Sequence, residues 1–169
     1  MTTECTIDIK VNGTSHTRTV EARRRLGDFL REDLGLTATH LPCEHGVCGV
    51  CTVIVDGKPR LSCLTLAAQV SGRSVETLEG LNAHPVMREL QAAFRACHAL
   101  QCGFCTPGFL VALACLFQRN ASPSDGEVRE VIDGVICRCT GYLPILKAAL
   151  RACKEITELV SCLGFPAVW

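Results

Sequence analysis

Apolar and polar residues alternate from Cys5 to Val11. Ile7, Ile9 and Val11 share one face, and Thr6, Asp8 and Lys10 the other. A period of two is that of a half-buried strand. Asn12-Gly13 follows, a pair suited to the positive φ angles of a tight hairpin turn, so Thr14 to Val20 reads as a second strand paired with the first. The period then changes. Leu26, Phe29, Leu30 and Leu34 recur at i, i+3, i+4 and i+8, which predicts one amphipathic helix ending near Gly35. Thr52 to Val55 is a third strand. Asp56-Gly57 turns the chain back through Arg60 to Cys63, and Val70 to Thr77 reads as the last strand.

Beyond residue 80 the pattern is helical throughout. Pro85 suits a first helical position, and Val86, Leu90, Ala93, Phe94 and Cys97 mark one face. Thr106-Pro107 reads as an N-cap followed by an N1 proline, opening the apolar run Phe109 to Phe117. Ser124-x-x-Glu127 has the form of a capping box, ahead of Val128, Val131, Ile132, Val135 and Ile136. Pro144 starts a fourth helix with Ile145, Leu146, Ala149, Leu150, Cys153 and Ile156 along one face. The expected organisation is α+β: a strand-rich domain over residues 1–79, a linker at 80–84, and a four-helix bundle with its tail over 85–169. The tail from Ser161 to Trp169 is apolar for a chain end, as befits an interface element or packing against its own bundle.

Composition narrows the class. In 169 residues, Lys+Arg and Asp+Glu both number 17, so no basic stripe points to nucleic acid. No apolar stretch reaches about 18 residues, so no membrane span is expected. Thirteen cysteines raise the question of disulfides. The odd count, the length, and a start (Met1-Thr2-Thr3-Glu4) without signal-peptide character argue instead for thiols in a reducing cytoplasm, committed to metal.

Eight of those cysteines form two sets of four. Cys43-x4-Cys48-x2-Cys51 with Cys63 is the plant-type ferredoxin spacing for a [2Fe–2S] cluster. The β-β-α-loop-β-β order around it is the β-grasp order of ferredoxin-like carriers. Cys102-x2-Cys105 and Cys137-x-Cys139 form the second set. In an antiparallel up-down bundle the first and third connections lie at one end. Those connections carry the two pairs, so topology brings four sulfurs together. Zinc remains open, because it also accepts four thiolates as two pairs. The first spacing departs from the zinc-ribbon pattern, and Gly46 and Gly49 let the loop wrap closely and aim N–H groups at sulfur. The second set discriminates less.

Cys43-Glu44-His45 matches half of a Rieske motif, but Cys48-Gly49-Val50-Cys51 supplies no second histidine. His45 is therefore read as a loop residue, and His84 and His98 as cap or surface residues. Cys5, Cys97, Cys115, Cys153 and Cys162 are read as small apolar residues without chemistry.

The motifs Cys43-Glu-His-Gly-Val-Cys-Gly-Val-Cys-Thr-Val, Gln101-Cys-Gly-Phe-Cys-Thr-Pro-Gly and Cys137-Arg-Cys-Thr-Gly-Tyr resemble those of the iron–sulfur (small) subunit of the molybdenum hydroxylase, or xanthine oxidase, family. The resemblance extends to about residue 158, and Glu79-Gly80-Leu81 with His84-Pro85-Val86 resembles the family's domain junction. It implies an N-terminal β-grasp [2Fe–2S] domain followed by a helical-bundle [2Fe–2S] domain. Cys43, Cys48, Cys51 and Cys63 match the ligands of the first cluster, and Cys102, Cys105, Cys137 and Cys139 those of the second. It further implies molybdopterin on a large partner subunit, with Gln101 and Cys139 in the vicinity of the pterin. FAD on a medium subunit and a dimer of heterotrimers are implied as well. Val50 where alanine is commoner, and Leu143-Pro144 after Cys-Thr-Gly-Tyr, are small departures.

The resulting expectation is an electron-transfer subunit with no catalytic residue of its own. Its complex hydroxylates or dehydrogenates a small molecule of the N-heterocycle or aldehyde class. The alternative is a free two-cluster ferredoxin. A soluble shuttle usually carries net charge for steering, and this chain carries none.

Overall fold

The computed structural model describes residues 3–163, with side chains up to residue 158. The apolar tail from Ser161 to Trp169 lies outside the described side chains. Five strands form one mixed sheet in the order β2-β1-β5-β3-β4. Strands β1 (Glu4–Val11) and β2 (Thr14–Glu21) make an antiparallel hairpin with Val11 opposite Thr14. β3 (Thr52–Val55) and β4 (Lys58–Leu61) make the second hairpin, with Val55 opposite Lys58. Both turns hold positive φ at both central residues: Asn12 at 50° and Gly13 at 84°, Asp56 at 47° and Gly57 at 72°. This is the geometry whose twist matches that of the flanking strands. β5 (Ser74–Glu76) joins the hairpins, parallel to β1 and antiparallel to β3.

The last strand is shorter than the alternation of Val70 to Thr77 predicts. Ala67–Val70 instead closes a 3₁₀ turn, in which the Gln69 side chain accepts from the Leu66 N–H at 3.0 Å. Gly72 then reverses the chain at a φ of 76°. The first helix also differs in form. Leu26–Asp28 (α1) runs into a single wide turn over Phe29–Asp33, closed by the Leu34 N–H on the Phe29 carbonyl at 3.2 Å. Leu26, Phe29 and Leu30 are nonetheless fully buried, because three- and four-residue spacings share a face in either turn.

A short helix, α2 (Leu78–Leu81), occupies part of the stretch expected to be linker. Four longer helices follow: α3 (Pro85–Ala96), α4 (Thr106–Arg119), α5 (Asp125–Asp133) and α6 (Leu143–Leu163). α3 packs on α4 and α6, and α5 packs on the same two, closing the bundle. The predicted capping box is present at α5: Ser124 Oγ accepts from the Glu127 N–H, and Glu127 Oε2 accepts from the Ser124 N–H at 2.8 Å. At α4 the cap stands one residue earlier than Thr106-Pro107 suggests. Cys105 is the N-cap, because the Thr106 N–H already closes a turn on the Gly103 carbonyl at 3.1 Å.

The apolar interior divides in two. One core lies under the sheet and holds Ile7, Ile9, Leu26, Phe29, Val53, Val55 and Val75. The other fills the bundle and reaches into the sheet through Cys48, Val50 and Ile54. Strand β3 is buried at all four positions because its alternating side chains serve both cores. No helix among the described residues is long and apolar enough to cross a membrane.

Candidate metal centres

The loop from Cys43 to Cys51 leaves the sheet core by a tight left-handed path. Glu44, Gly46 and Gly49 hold φ angles of 54°, 76° and 70°. Arg25 anchors the path, bonding Asp28 at 2.7 Å and Glu44 at 2.6 Å. Cys63, just past β4, completes the set. The thiols meet two by two: Cys48 hydrogen-bonds Cys43, and Cys51 hydrogen-bonds Cys63. Among the described residues no three His, Cys, Asp or Glu side chains converge as the ligands of a single ion would.

Backbone N–H groups point at these sulfurs. Those of His45, Cys48 and Val47 serve Cys43, that of Val50 serves Cys48, and that of Gly46 serves Cys63. The His45 N–H, with the Cys48 contacts behind it, lowers the Cys43 thiol to about 6. Burial, reinforced by Cys51, pushes the Cys63 thiol up to about 11. The site therefore offers one ready thiolate at its rim and more reluctant thiols beneath, whose ionisation a cation would favour. His45 is an exposed loop residue, its Nδ1 on the Cys43 carbonyl.

The second set gathers at one end of the bundle, as the up-down topology requires. Cys102 and Cys105 precede α4. Cys137 and Cys139 lie between α5 and α6. Cys139 Sγ is 3.6 Å from Cys102 Sγ, and Cys105 hydrogen-bonds Cys137. Cys102 and Cys139 are exposed, Cys105 is half-buried and Cys137 buried, so the site has an outer and an inner pair. The Thr140 hydroxyl donates to Cys137 Sγ at 3.2 Å, and the Tyr142 hydroxyl accepts from the Cys137 N–H at 2.9 Å. Burial pushes the Cys137 thiol up, but the bonds from Thr140 and the Cys139 N–H outweigh it and leave the thiol lowered. Burial pushes Cys105 up to about 12. Gln101 is exposed beside the outer pair.

The two sites are stitched together. Predicted helix α5 stops at Asp133 rather than running through Ile136, because the Ile136 N–H donates to the Cys48 carbonyl at 2.8 Å. That bond joins Cys48 of the first set to Ile136, the neighbour of Cys137 in the second. His40, absent from the sequence-derived candidates, stacks on Phe104 of the second loop. A lone histidine outside any cysteine motif carried no signal for this contact. His84 caps α3 and His98 is exposed, both as expected. Cys115 is buried, and Cys5, Cys97 and Cys153 are half-buried, as fits small apolar residues; the Cys162 side chain lies outside the described residues.

Comparison with known proteins agrees with this geometry. A "2Fe-2S iron-sulfur cluster binding domain" family matches residues 5–99, and a "[2Fe-2S] binding domain" family matches residues 77–150. The nicotine 6-hydroxylase small subunit of Paenarthrobacter nicotinovorans is 51% identical over 89% of this chain and 90% of its own. The caffeine dehydrogenase subunit gamma of Pseudomonas sp. (strain CBB1) is 47% identical over 90% and 93%. In the crystal structure of quinoline 2-oxidoreductase from Pseudomonas putida 86, one chain superposes with a TM-score of 0.83 at 46% identity, over 92% of this chain and 97% of that one. With two sets of paired thiols and these likenesses, the chain belongs to the iron–sulfur subunits of the molybdenum hydroxylase, or xanthine oxidase, family, which are components of oxidoreductase complexes.

Proposed function

We propose that this chain is the electron-transfer subunit of a molybdenum hydroxylase, passing electrons one at a time from a molybdopterin site on a large subunit, through two [2Fe–2S] clusters, to FAD or another acceptor. The observation that carries the reading is the pairing of thiols at both sites, two for each iron of a dinuclear cluster. A bound [2Fe–2S] cluster supplies one-electron chemistry with no bond made or broken in the substrate. Cys43, Cys48, Cys51 and Cys63 hold the first cluster, and Cys102, Cys105, Cys137 and Cys139 the second. The N–H groups aimed at Cys43, Cys48, Cys63 and Cys137 stabilise thiolate over thiol, which suits them as ligands. Residues 1–79 and 85–169 are taken as the two cluster-binding units.

The chain's surface supports a partner at each end. The exposed large apolar residues Val47, Leu64, Leu100, Phe104, Ile136 and Leu143 all stand within four residues of a ligand cysteine. We assign the exposed face around Gln101 and Cys139 to the pterin of the large subunit. The rim around Cys43 is assigned to the acceptor side, with FAD on a medium subunit, in a cytoplasmic dimer of heterotrimers. The names of relatives at 46–51% identity (nicotine, caffeine, quinoline) favour an N-heterocycle as the substrate of the complex over an aldehyde.

Co-expression with the genes that flank it tests the reading. A complex containing molybdopterin is expected, and reduction is expected to give two distinct rhombic EPR signals. Cys48→Ser should remove one signal and Cys105→Ser the other. A stable monomer that ignores its neighbours would return the chain to the free ferredoxin. Stoichiometric zinc in place of iron would end the cluster reading.

A further inference from the structure

The segment Cys137-Arg-Cys-Thr-Gly-Tyr carries two ligand positions, and its Thr140 and Tyr142 close a ring of hydrogen bonds around one of them. The Cys137 N–H donates to Tyr142 Oη at 2.9 Å. The Tyr142 N–H donates to Thr140 Oγ1 at 3.2 Å. Thr140 Oγ1 in turn lies 3.2 Å from Cys137 Sγ. The chain folds back on itself to do this, with positive φ at Gly141 (64°) and at Tyr142 (68°). Glycine takes that conformation freely, but an aromatic residue seldom does. The Tyr142 ring also stands edge-on to the buried Phe109, with centroids 6.5 Å apart and planes inclined by 75°. An unusual backbone held this firmly by its surroundings points to a constraint beyond local stability.

A cysteine sulfur bound to iron carries no proton, so it only accepts. The Thr140 hydroxyl is therefore the donor in the bond to Cys137 Sγ. Its oxygen already accepts from the Tyr142 N–H, which leaves its own proton to turn to the sulfur. A hydroxyl that accepts one hydrogen bond is polarised and donates a stronger one. Thr140 is half-buried and Cys137 is buried, so little water competes for the bond. Hydrogen bonds to ligand sulfur stabilise the more electron-rich reduced state of an iron–sulfur centre and so raise its potential.

We propose that Thr140 tunes the second centre: its hydroxyl, turned onto Cys137 Sγ by the Tyr142 N–H, keeps that centre's potential raised. The proposal rests on the assignment of Cys102, Cys105, Cys137 and Cys139 as cluster ligands. It gives the Thr140-Gly141-Tyr142 turn a redox role besides linking the ligands to α6. The bond falls on a sulfur of the inner pair, away from the exposed Cys102 and Cys139.

An EPR-monitored redox titration of the assembled complex tests it with three variants. The second signal is the one that Cys105→Ser removes. Thr140→Val keeps the shape and deletes the donor, Thr140→Ala deletes donor and methyl group together, and Thr140→Ser keeps the donor. Thr140→Val and Thr140→Ala are expected to move the second signal to more negative potential while the first signal stays in place. The shift should reach up to a tenfold change in the reduced-to-oxidised ratio, about 59 mV for one electron. Thr140→Ser is expected to titrate with the parent protein. A variant without the hydroxyl that titrates at or above the parent potential overturns the proposal, and so does Thr140→Ser shifted as far as Thr140→Val. If Thr140→Val loses the second centre, the Ala and Ser variants decide alone. Loss of that centre from both Thr140→Val and Thr140→Ala would make Thr140 an assembly residue and overturn the tuning role. A parent complex with no second iron–sulfur signal overturns the ligand assignment, and the proposal with it.

Discussion

A β-carbon added to Gly49 would stand 2.0 Å from the Gly134 carbonyl oxygen, and Gly49 holds a φ of 70°. Backbone cannot retreat as a flexible side chain can. The contrast is Gly46, whose added carbon would meet only the movable Leu64 side chain. Gly49→Ala combines overpacking, about 1–3 kcal/mol, with a left-handed alanine, about 1–2 kcal/mol. Its urea midpoint should therefore report a loss of about 2–5 kcal/mol. It should also perturb both ligand loops, since Gly134 lies three residues from Cys137. Sequence reasoning credited both glycines with letting N–H groups reach sulfur. That holds for Gly46, whose N–H serves Cys63. The stronger constraint on Gly49 comes from a chain segment 85 residues away and has no local signature.

At the scale of elements, helix α3 begins on a titratable cap. His84 Nδ1 accepts from the Val86 N–H at 3.3 Å, and burial lowers the imidazole from its ordinary 6.5. Only the neutral ring can accept, so the folded state takes up this proton less readily than the unfolded chain. The stability from this cap is complete above pH 6.5 and is lost as pH falls through 6.5 toward the lower folded value. Urea unfolding of the parent and of His84→Ser between pH 7.5 and pH 5 checks this. Serine caps without titrating in that range, so the parent should lose more stability on acidification than the variant. Equal slopes would assign the acid sensitivity elsewhere. The cap was legible as a role for His84, because Pro85 marks the first turn. The end of α5 was not, because the Ile136 N–H is drawn off by a distant carbonyl.

For the whole molecule, the sheet core is small, and it is the larger bundle core that takes in cysteines of the two proposed ligand sets. Cys48 and Cys137 are part of the bundle core, whereas the sheet core is built without ligand cysteines. Small cores gain disproportionately from metal cross-links. Iron removal should therefore lower the melting temperature, by about 2–4 °C for each kcal/mol lost in a chain of this size. Calorimetry of iron-loaded and iron-free protein is the measurement. The iron-free form melting no earlier would show that the cores stand without their centres.

What the sequence determines by itself is whatever depends on local spacing. The 2.0 and 3.6 periods give the strand and helix order, two turn dipeptides give both hairpins, and Cys43-x4-Cys48-x2-Cys51 with Cys63 gives the first proposed site. The second site follows one step further on, since short connections force an up-down bundle whose first and third links share an end. Tertiary structure alone decides how the two sites are joined. Gly49 against Gly134, Ile136 on Cys48, and His40 on Phe104 each pair residues more than 60 positions apart. Nothing in the spacing of either partner announces the other. Such contacts arise only when the two cores dock and bring remote backbone groups within hydrogen-bonding and van der Waals reach.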